Sequence, residues 1–191
     1  LAWTSLGGDV LVIEAISLPS EHAAFKHTGQ LGDVMVESSE IAYSYIRKLL
    51  KDDPEATRRL EHEQIHLHVP AGATKKDGPS AGITMATALY SLATNQRVRQ
   101  RIAMTGELTL TGRVMPIGGL KEKTIAARRS GIRTLIFPAD NRKDYELLPG
   151  HVRQGLTPHF VGDFTEVLAI CFKPPRTPVR RAASGRPATA G

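Results

Sequence analysis

Gly78-Pro79-Ser80-Ala81-Gly82 stands between the clearest strand pattern of the chain and its clearest helix pattern. Residues 65–69 before it alternate apolar and polar side chains, which predicts a strand with one buried face. Pro79 suits the first turn of a helix, because its missing N–H would be unpaired there anyway. The helix that follows is predicted to bury Ile83, Ala86, Leu89 and Tyr90. We therefore expect Ser80 at the mouth of a helix, after a loop over residues 71–78.

The rest of the chain mixes short strand and helix patterns. We predict strands at 10–16, 34–36, 102–110, 134–137 and 160–161, and a hairpin turn at 111–112 with its return strand at 114–115. We predict helices that begin at Ser38 or Ser39, at Lys121 and near Asp163, the second of them ending near Gly131. This mixture indicates an α+β or mixed α/β domain rather than a regular doubly wound sheet.

Chain length and charge divide the sequence into a domain and a tail. The 191 residues suffice for one domain with a sizeable core and a short extra piece. We assign residues 1–172 to the domain and residues 173–191 to a tail, rich in proline, alanine and arginine, that is expected to be disordered. The tail holds five basic residues and no acidic one, and without it the formal net charge of +6 falls to +1. A nearly neutral domain does not require nucleic acid as a partner.

Cysteine content and hydropathy exclude other classes. Cys171 is the single cysteine of the sequence, which excludes an internal disulfide and fits a reducing compartment. No apolar run approaches the roughly 20 residues of a membrane-spanning helix. The sequence starts at Leu1 without a signal-peptide pattern, and we interpret it as a piece of a longer polypeptide.

The position of Ser80 allows two interpretations. Free N–H groups and the positive dipole end of the helix can stabilise the oxyanion that forms when a serine attacks a carbonyl. Gly78 and Gly82 would leave room for a substrate backbone. The alternative is that Ser80 only caps the helix, which is the usual role of a serine there. As a nucleophile Ser80 would also need a base.

Residues 118–123, Gly-Gly-Leu-Lys-Glu-Lys, offer that base. At helical spacing Lys123 shares a face with Leu120, Thr124 and Ala127, and this face is apolar apart from the lysine and the threonine hydroxyl. Burial lowers the pKa of a lysine from its reference value of about 10.4, which would make Lys123 a usable base. The alternative is a solvated Lys-Glu-Lys surface run, the commoner fate of such a tripeptide.

The same five residues also match the G-x-S-x-G pattern of α/β-hydrolases, whose serine works with a histidine. Asp140 or Asp144 followed by His151 or His159 would give the chain order of a Ser-His-Asp esterase. Against this, the hydrolase serine directly follows a strand, whereas about eight residues intervene here, and the HGGG-type motif is absent. A separate pair, His66-Leu67-His68, has strand spacing that can bind zinc, but no third ligand lies at convincing spacing.

Longer motifs reveal a family resemblance. They are Lys76-Asp77-Gly78-Pro79-Ser80-Ala81-Gly82, Thr105-Gly106-Glu107 and Pro116-Ile117-Gly118-Gly119-Leu120-Lys121-Glu122-Lys123, with further matches at residues 2–4, 29–35, 126–132 and 141–144. In these motifs the sequence resembles the proteolytic domain of Lon, the ATP-dependent protease, over roughly residues 1–172. The Gly-Pro-Ser form is more similar to the soluble Lon subclass than to the membrane-anchored one. The sequence departs from the family at Lys75, where proline is usual.

The resemblance implies an α+β fold with mixed β-sheets and flanking helices, and a serine endopeptidase with a Ser-Lys dyad. Ser80 would be the nucleophile and Lys123 the general base, with Thr105 beside Lys123. Three further residues match positions close to the family's cleft, without an assigned catalytic role: Asp77, His66 and Glu14.

The resemblance also implies partners and a compartment. It implies a homo-hexameric ring that degrades unfolded or damaged polypeptides, is served by an ATPase domain of the same full-length chain, and works in the bacterial cytoplasm or the mitochondrial matrix. No Walker A motif occurs in this sequence, so ATP and Mg²⁺ are expected in that other region, and no cofactor or metal in this one. Neither a membrane nor nucleic acid is an expected partner. Two alternatives stay open: the esterase, and a non-catalytic domain that assembles rings.

Overall fold

The computed structural model describes residues 1–4, 7–70, 72 and 74–172. The tail predicted at 173–191 lies outside the described residues. The described strands are β1 (Ala2–Thr4), β2 (Gly7–Asp9), β3 (Glu14–Pro19), β4 (Ala24–Thr28), β5 (Glu63–His68), β6 (Ile102–Met104), β7 (Glu107–Leu108), β8 (Val114–Met115), β9 (Thr134–Pro138) and β10 (Thr157–Val161). The described helices are α1 (Asp33–Leu49), α2 (Pro54–His62), α3 (Gly82–Thr94), α4 (Leu120–Arg129), α5 (Arg142–Glu146), α6 (Gly150–Arg153) and α7 (Phe164–Cys171), with 3-10 turns at Pro79–Ala81 and Ala139–Asn141.

These elements form an α+β fold with small sheets. β5 lies between β3, which is antiparallel to it, and β4, which is parallel to it. β9 lies between β6 and β10, both parallel to it. Two antiparallel pairs, β1 with β2 and β7 with β8, complete the strands that the structure describes.

Two clusters of buried apolar side chains support the sheets and helices. The larger includes Ile46, Leu60, Ile65, Ile83, Leu89 and Phe164, from α1, α2, β5, α3 and α7. The smaller includes Leu120, Ala127, Leu135, Phe137 and Tyr145, from α4, β9 and α5. β6 contributes Met104 to the larger cluster and Ala103 to the smaller one. The chain directly after β6 therefore lies where the two clusters meet.

Several predicted elements are confirmed. β5 buries Ile65 and Leu67 completely, as the alternating pattern predicts. The hairpin forms with Leu108 opposite Val114. The helix predicted from Lys121 spans Leu120–Arg129, and Asp163 accepts a hydrogen bond from the Thr165 N–H at the start of α7.

Other predictions are wrong, each for a physical reason. Residues 34–36 are not a strand but the first turn of α1, which begins after Gly32 and not at Ser38 or Ser39. The Asp77 carboxylate accepts a hydrogen bond from the Met35 N–H, a long-range cap that no local pattern shows. The strand predicted at 102–110 is interrupted at Thr105-Gly106, where the backbone bonds to residues 136 and 80 instead. The first predicted strand begins only at Glu14.

Among the described residues, no helix combines the length and the apolar character needed to cross a bilayer.

Candidate active site

Ser80 occupies the middle of the 3-10 turn Pro79–Ala81, directly before α3. Gly78 enters this turn with a φ of +108°, a conformation that side-chain-bearing residues rarely adopt. The Ser80 carbonyl accepts hydrogen bonds from the Gly106 N–H at 2.8 Å and from the Thr105 hydroxyl at 3.1 Å. These two bonds fix the serine turn to the chain segment that follows β6.

Lys76 anchors the loop that leads to the serine. Its ammonium is buried and donates to the carbonyls of Gly29 at 2.6 Å and Thr74 at 3.0 Å. Its backbone N–H donates to the Gln30 carbonyl, and its carbonyl accepts from the Gly32 N–H. The loop is thereby held against residues 29–32, at the start of α1.

Lys123 is buried in the first turn of α4, with 3% of its surface exposed. The helix follows Gly119, whose φ of +68° and close approach to Trp3 leave no room for a side chain: an added Cβ would lie 2.6 Å from the Trp3 ring. Leu120, Thr124 and Ala127 are buried beside the lysine, as the helical spacing predicts. Burial lowers the pKa of the Lys123 amine from its ordinary 10.5 to about 8.

Thr105 connects the lysine to the serine turn. Its buried hydroxyl lies 3.0 Å from the Lys123 Nζ and 3.1 Å from the Ser80 carbonyl oxygen. Because a hydroxyl has one proton, it donates to that carbonyl and accepts from the amine. Within the part of the chain that the structure describes, the Ser80 hydroxyl makes no hydrogen bond to Lys123, and such contacts are commonly loose before substrate binds.

Ser80 and Lys123 line one cavity of about 420 Å³. Its apolar wall includes Leu11, Ile13, Met35, Val69, Pro116 and Ile117. A cavity of this size can take a side chain and adjoining backbone of a peptide, and its apolar wall desolvates whatever polar group enters it.

The remaining predicted residues divide between this cavity and the sheet of β3, β4 and β5, whose adjoining residues Ile13 and Val69 line the cavity. Asp77 lines the cavity, and its carboxylate accepts hydrogen bonds from the N–H groups of Gly78 at 2.8 Å and Met35 at 3.0 Å, which lower its pKa. Glu14 and His66 lie on β3 and β5 and are not among the residues that line the cavity. The His66 and His68 rings both hydrogen-bond the Thr28 hydroxyl, at 2.8 and 2.7 Å.

The esterase residues are not brought to Ser80. His159 lines a different cavity, about 650 Å³, on the surface of β10 and α7. The Asp144 carboxylate accepts a hydrogen bond from Asn141, and His151 lies exposed on α6. Among the described residues, no histidine lines the cavity that holds Ser80.

The sequence patterns missed much of the cavity wall. The patterns predict a strand at 34–36, where Met35 lies in α1, and a strand over 10–16, where Leu11 and Ile13 precede β3 without regular secondary structure. Thr84 also lines the cavity. It lies four residues after Ser80, so helical spacing could have placed it on the serine's face of the helix.

Comparison with known proteins gives the family. Residues 1–174 match the model of the Lon protease (S16) C-terminal proteolytic domain. The chain belongs to this family. It is 57% identical over 175 residues to Lon protease 1 of Syntrophotalea carbinolica, covering 90% of this chain and 21% of that protein.

Relatives with mitochondrial names also match. A mitochondrial Lon protease homolog of Ostreococcus lucimarinus is 57% identical over 169 residues, 87% of this chain and 18% of its own length. Lon protease homolog 1, mitochondrial, of Arabidopsis thaliana is 52% identical over 174 residues, 90% of this chain and 18% of its own length. The chain thus spans about a fifth of the length of the curated Lon relatives it matches.

Proposed function

We propose that this chain is the serine endopeptidase domain of a Lon-type protease, with Ser80 as nucleophile and Lys123 as general base. The observation that carries the proposal is the buried Lys123 amine, held by Thr105 beside the serine turn with a pKa lowered to about 8. A lysine of ordinary pKa would be almost wholly protonated at neutral pH and could not accept a proton. Membership of the Lon family supports a peptidase.

In the proposed reaction, the Ser80 hydroxyl oxygen attacks the carbonyl carbon of the scissile peptide bond while its proton passes to the neutral Lys123 amine. The C–N bond then breaks, and the protonated Lys123 gives that proton to the leaving amine. The N–H groups at the start of α3 and its dipole stabilise the negative oxygen of the intermediate. Water next attacks the ester carbon while Lys123 takes a proton from it. The bond between that carbon and the Ser80 oxygen then breaks, the peptide leaves with a new carboxyl terminus, and Lys123 gives the proton to the Ser80 oxygen.

The dyad is tested by Ser80→Ala and Lys123→Ala, each assayed for hydrolysis of a quenched fluorogenic peptide. Both variants are expected to lose essentially all activity, because members of one catalytic unit act together. A fluorophosphonate should modify wild type at Ser80, as mapped by mass spectrometry, and fail with both variants. Lys121→Ala is the matched control, since Lys121 lies two residues away on α4 and is exposed.

The esterase predicts the opposite pattern. If Lys123→Ala kept its peptide hydrolysis while His151→Ala or His159→Ala lost it, a histidine would be the base and the dyad would be wrong. If all variants matched wild type and wild type hydrolysed nothing, the domain would serve only to assemble rings.

We further propose that the domain works on unfolded polypeptides in a homo-hexameric ring, together with an ATPase region of the same full-length protein that binds ATP and Mg²⁺. The length of the matched Lon relatives, about five times the matched segment, supports a larger protein. Size-exclusion chromatography with multi-angle light scattering, run on the domain and on the full-length protein at micromolar concentration, tests the ring. A full-length protein that stays monomeric at micromolar concentration would contradict it.

A further inference from the structure

The segment of residues 116–119 connects β8 to α4 and forms part of the wall of the Ser80 cavity. Lys123 follows it in the first turn of α4. The segment contains two glycines, whose backbones are unusually free to move, and a proline, which lacks an N–H. It lies beyond the end of β8, and no strand of the described chain pairs with it. Support for this part of the wall must therefore come from elsewhere in the fold.

Asn141 supplies that support through its side-chain amide. The residue is buried, with 3% of its surface exposed, in the 3-10 turn that follows β9. Its Oδ1 accepts a hydrogen bond from the Ile117 N–H at 2.9 Å, and its Nδ2 donates to the Ile117 carbonyl at 3.0 Å. These two bonds resemble the way in which a residue of a neighbouring strand would pair with Ile117. Among the described residues, no other group bonds to the Ile117 backbone.

The third bond of the amide fixes its orientation. The other Nδ2 proton is donated to the Asp144 carboxylate at 2.9 Å, on an exposed side chain. An amide nitrogen carries two protons and the amide oxygen carries none, so one orientation alone satisfies all three partners. The Asn141 side chain therefore holds Ile117 in one place relative to β9.

β9 also holds the hydrogen-bond partner of the Lys123 amine. The Ile136 carbonyl accepts a hydrogen bond from the Thr105 N–H, and the Thr105 hydroxyl oxygen accepts one from Lys123. The strand thus fixes Thr105 directly, and the turn that follows it fixes Ile117 through Asn141. Both features depend on the same short stretch of chain.

We propose that Asn141 is a positioning residue for the peptidase reaction: its amide holds residues 116–118 as the wall that keeps water away from Lys123. Ile117 and Lys123 line the same cavity, and burial is what lowers the pKa of the amine. Without the amide the wall segment can move away, water reaches the amine, and its charged form is favoured. This inference rests on the proposed function, because it takes Lys123 as the base.

The first test is Asn141→Ala, with kcat/KM for the fluorogenic peptide measured from pH 6 to pH 10, well below the Tm. The value at pH 7 should fall about 10- to 100-fold, the range expected when a site is displaced by about an ångström. The midpoint of the pH profile should move above the pH 8 expected of wild type. Asn141→Leu, which fills the space of the amide but cannot hydrogen-bond, should do the same. The other charged side chains that line the cavity are unchanged in both variants: Asp9, Lys75, Lys76 and Asp77.

Hydrogen exchange tests the geometry without any catalysis. The Ile117 N–H is bonded in wild type and should be protected, as measured by mass spectrometry on a peptide that contains it. In both Asn141 variants it should exchange about 10-fold faster, which corresponds to the loss of one typical hydrogen bond. Unchanged exchange would show that the amide does not hold the wall, and the inference would be wrong.

Two controls separate positioning from stability. Asp144→Ala removes the third bond of the amide but leaves both bonds to Ile117, so it should keep the wild-type pH midpoint. Val167→Ala removes packing from a fully buried side chain on α7 that is not among the residues lining the cavity. It should lower the Tm and likewise keep the wild-type midpoint.

The inference is overturned if the Asn141 variants keep the wild-type kcat/KM and midpoint, or if Val167→Ala shifts them as much at an equal drop in Tm. An equal shift in Asp144→Ala would also overturn it, because the exposed carboxylate and not the wall would then be responsible. The proposed function fails separately, if Lys123→Ala hydrolyses the peptide as wild type does.

Discussion

At the scale of single residues, the site is built around one amine that is kept from water. Burial lowers the pKa of the Lys123 amine to about 8. The Thr105 hydroxyl oxygen accepts a hydrogen bond from the amine and holds it in place without adding charge. A carboxylate in the same position would favour the charged amine and raise its pKa, which would oppose its use as a base. A hydroxyl partner therefore suits the proposed role of Lys123 as a neutral base.

The pH dependence of peptide hydrolysis follows from this pKa. Only the neutral amine can accept the Ser80 proton, so kcat/KM should rise with pH, reach half its maximum near pH 8 and level off above it. The measurement is kcat/KM for a fluorogenic peptide from pH 6 to pH 10, with Lys121→Ala as the control that keeps the same profile. A rise centred near pH ~6.5, the reference range of histidine, would show that another group is the base.

At the scale of elements, local sequence patterns predicted the helices and strands whose pattern lies within their own residues. β5 alternates apolar and polar side chains, α4 ends two residues before Gly131, whose φ is +71°, and the hairpin turns at Gly112 with a φ of +92°. The start of α1 could not be predicted, because its cap is the carboxylate of residue 77, far away in the sequence. The break between β6 and β7 has the same origin, since its N–H groups bond to the carbonyls of Ile136 and Ser80.

The candidate site likewise contains residues that local sequence patterns predicted and residues that they did not. Ser80 and Lys123 could be chosen from a helix start and a helix face, because both are local features. The place of Thr105 beside Lys123 was implied only by the family resemblance, while its hydrogen bond to the Ser80 carbonyl and the apolar wall of the cavity were not predicted. Leu11, Met35 and Val69 come from three separate segments, and nothing in any one segment indicates the other two.

The loop that carries the serine should depend on the buried Lys76. Lys76→Met removes the ammonium that bonds to the Gly29 and Thr74 carbonyls. We expect a loss of about 2 kcal/mol of stability, the typical value for hydrogen bonds to a charged group. That corresponds to a Tm drop of about 4–8 °C for a domain of this size. We also expect slower peptide hydrolysis, because the serine turn loses one of its anchors.

Lys75→Met is the matched control, since the neighbouring Lys75 is exposed. It removes a lysine from the same loop without touching the anchor, and should leave the Tm near that of wild type; the Tm alone is compared, because Lys75 itself lines the cavity. Equal effects of the two substitutions would show that positive charge in the loop matters, rather than the bonds of Lys76.

At the scale of the whole molecule, the two proposed catalytic residues come from different halves of the core. Ser80 precedes α3, which packs in the larger apolar cluster, and Lys123 lies on α4, which packs in the smaller one. Thr105 follows β6, the strand that contributes to both clusters. The relative position of serine and lysine is therefore fixed by tertiary packing, and the burial of the amine lowers the free energy of unfolding of the whole domain.

The free-energy cost of burying the Lys123 amine predicts how global stability changes with pH. The pKa of Lys123 is about 8 in the folded chain and near 10.5 when unfolded, so between these values the unfolded state binds the proton that the folded state lacks. The free energy of unfolding must then rise with pH across this window, by about 3 kcal/mol in total. The cost of keeping the Lys123 amine neutral in the folded state is complete below pH 8 and absent above pH 10.5. Lys123→Met has no such titration. Urea unfolding should therefore give Lys123→Met a larger free energy of unfolding than wild type. This difference should be constant from pH 6 to 7.5 and should shrink by most of the roughly 3 kcal/mol towards pH 10.5. A margin independent of pH would mean that the buried amine titrates as it does in water, and the case for Lys123 as a neutral base would fail with it.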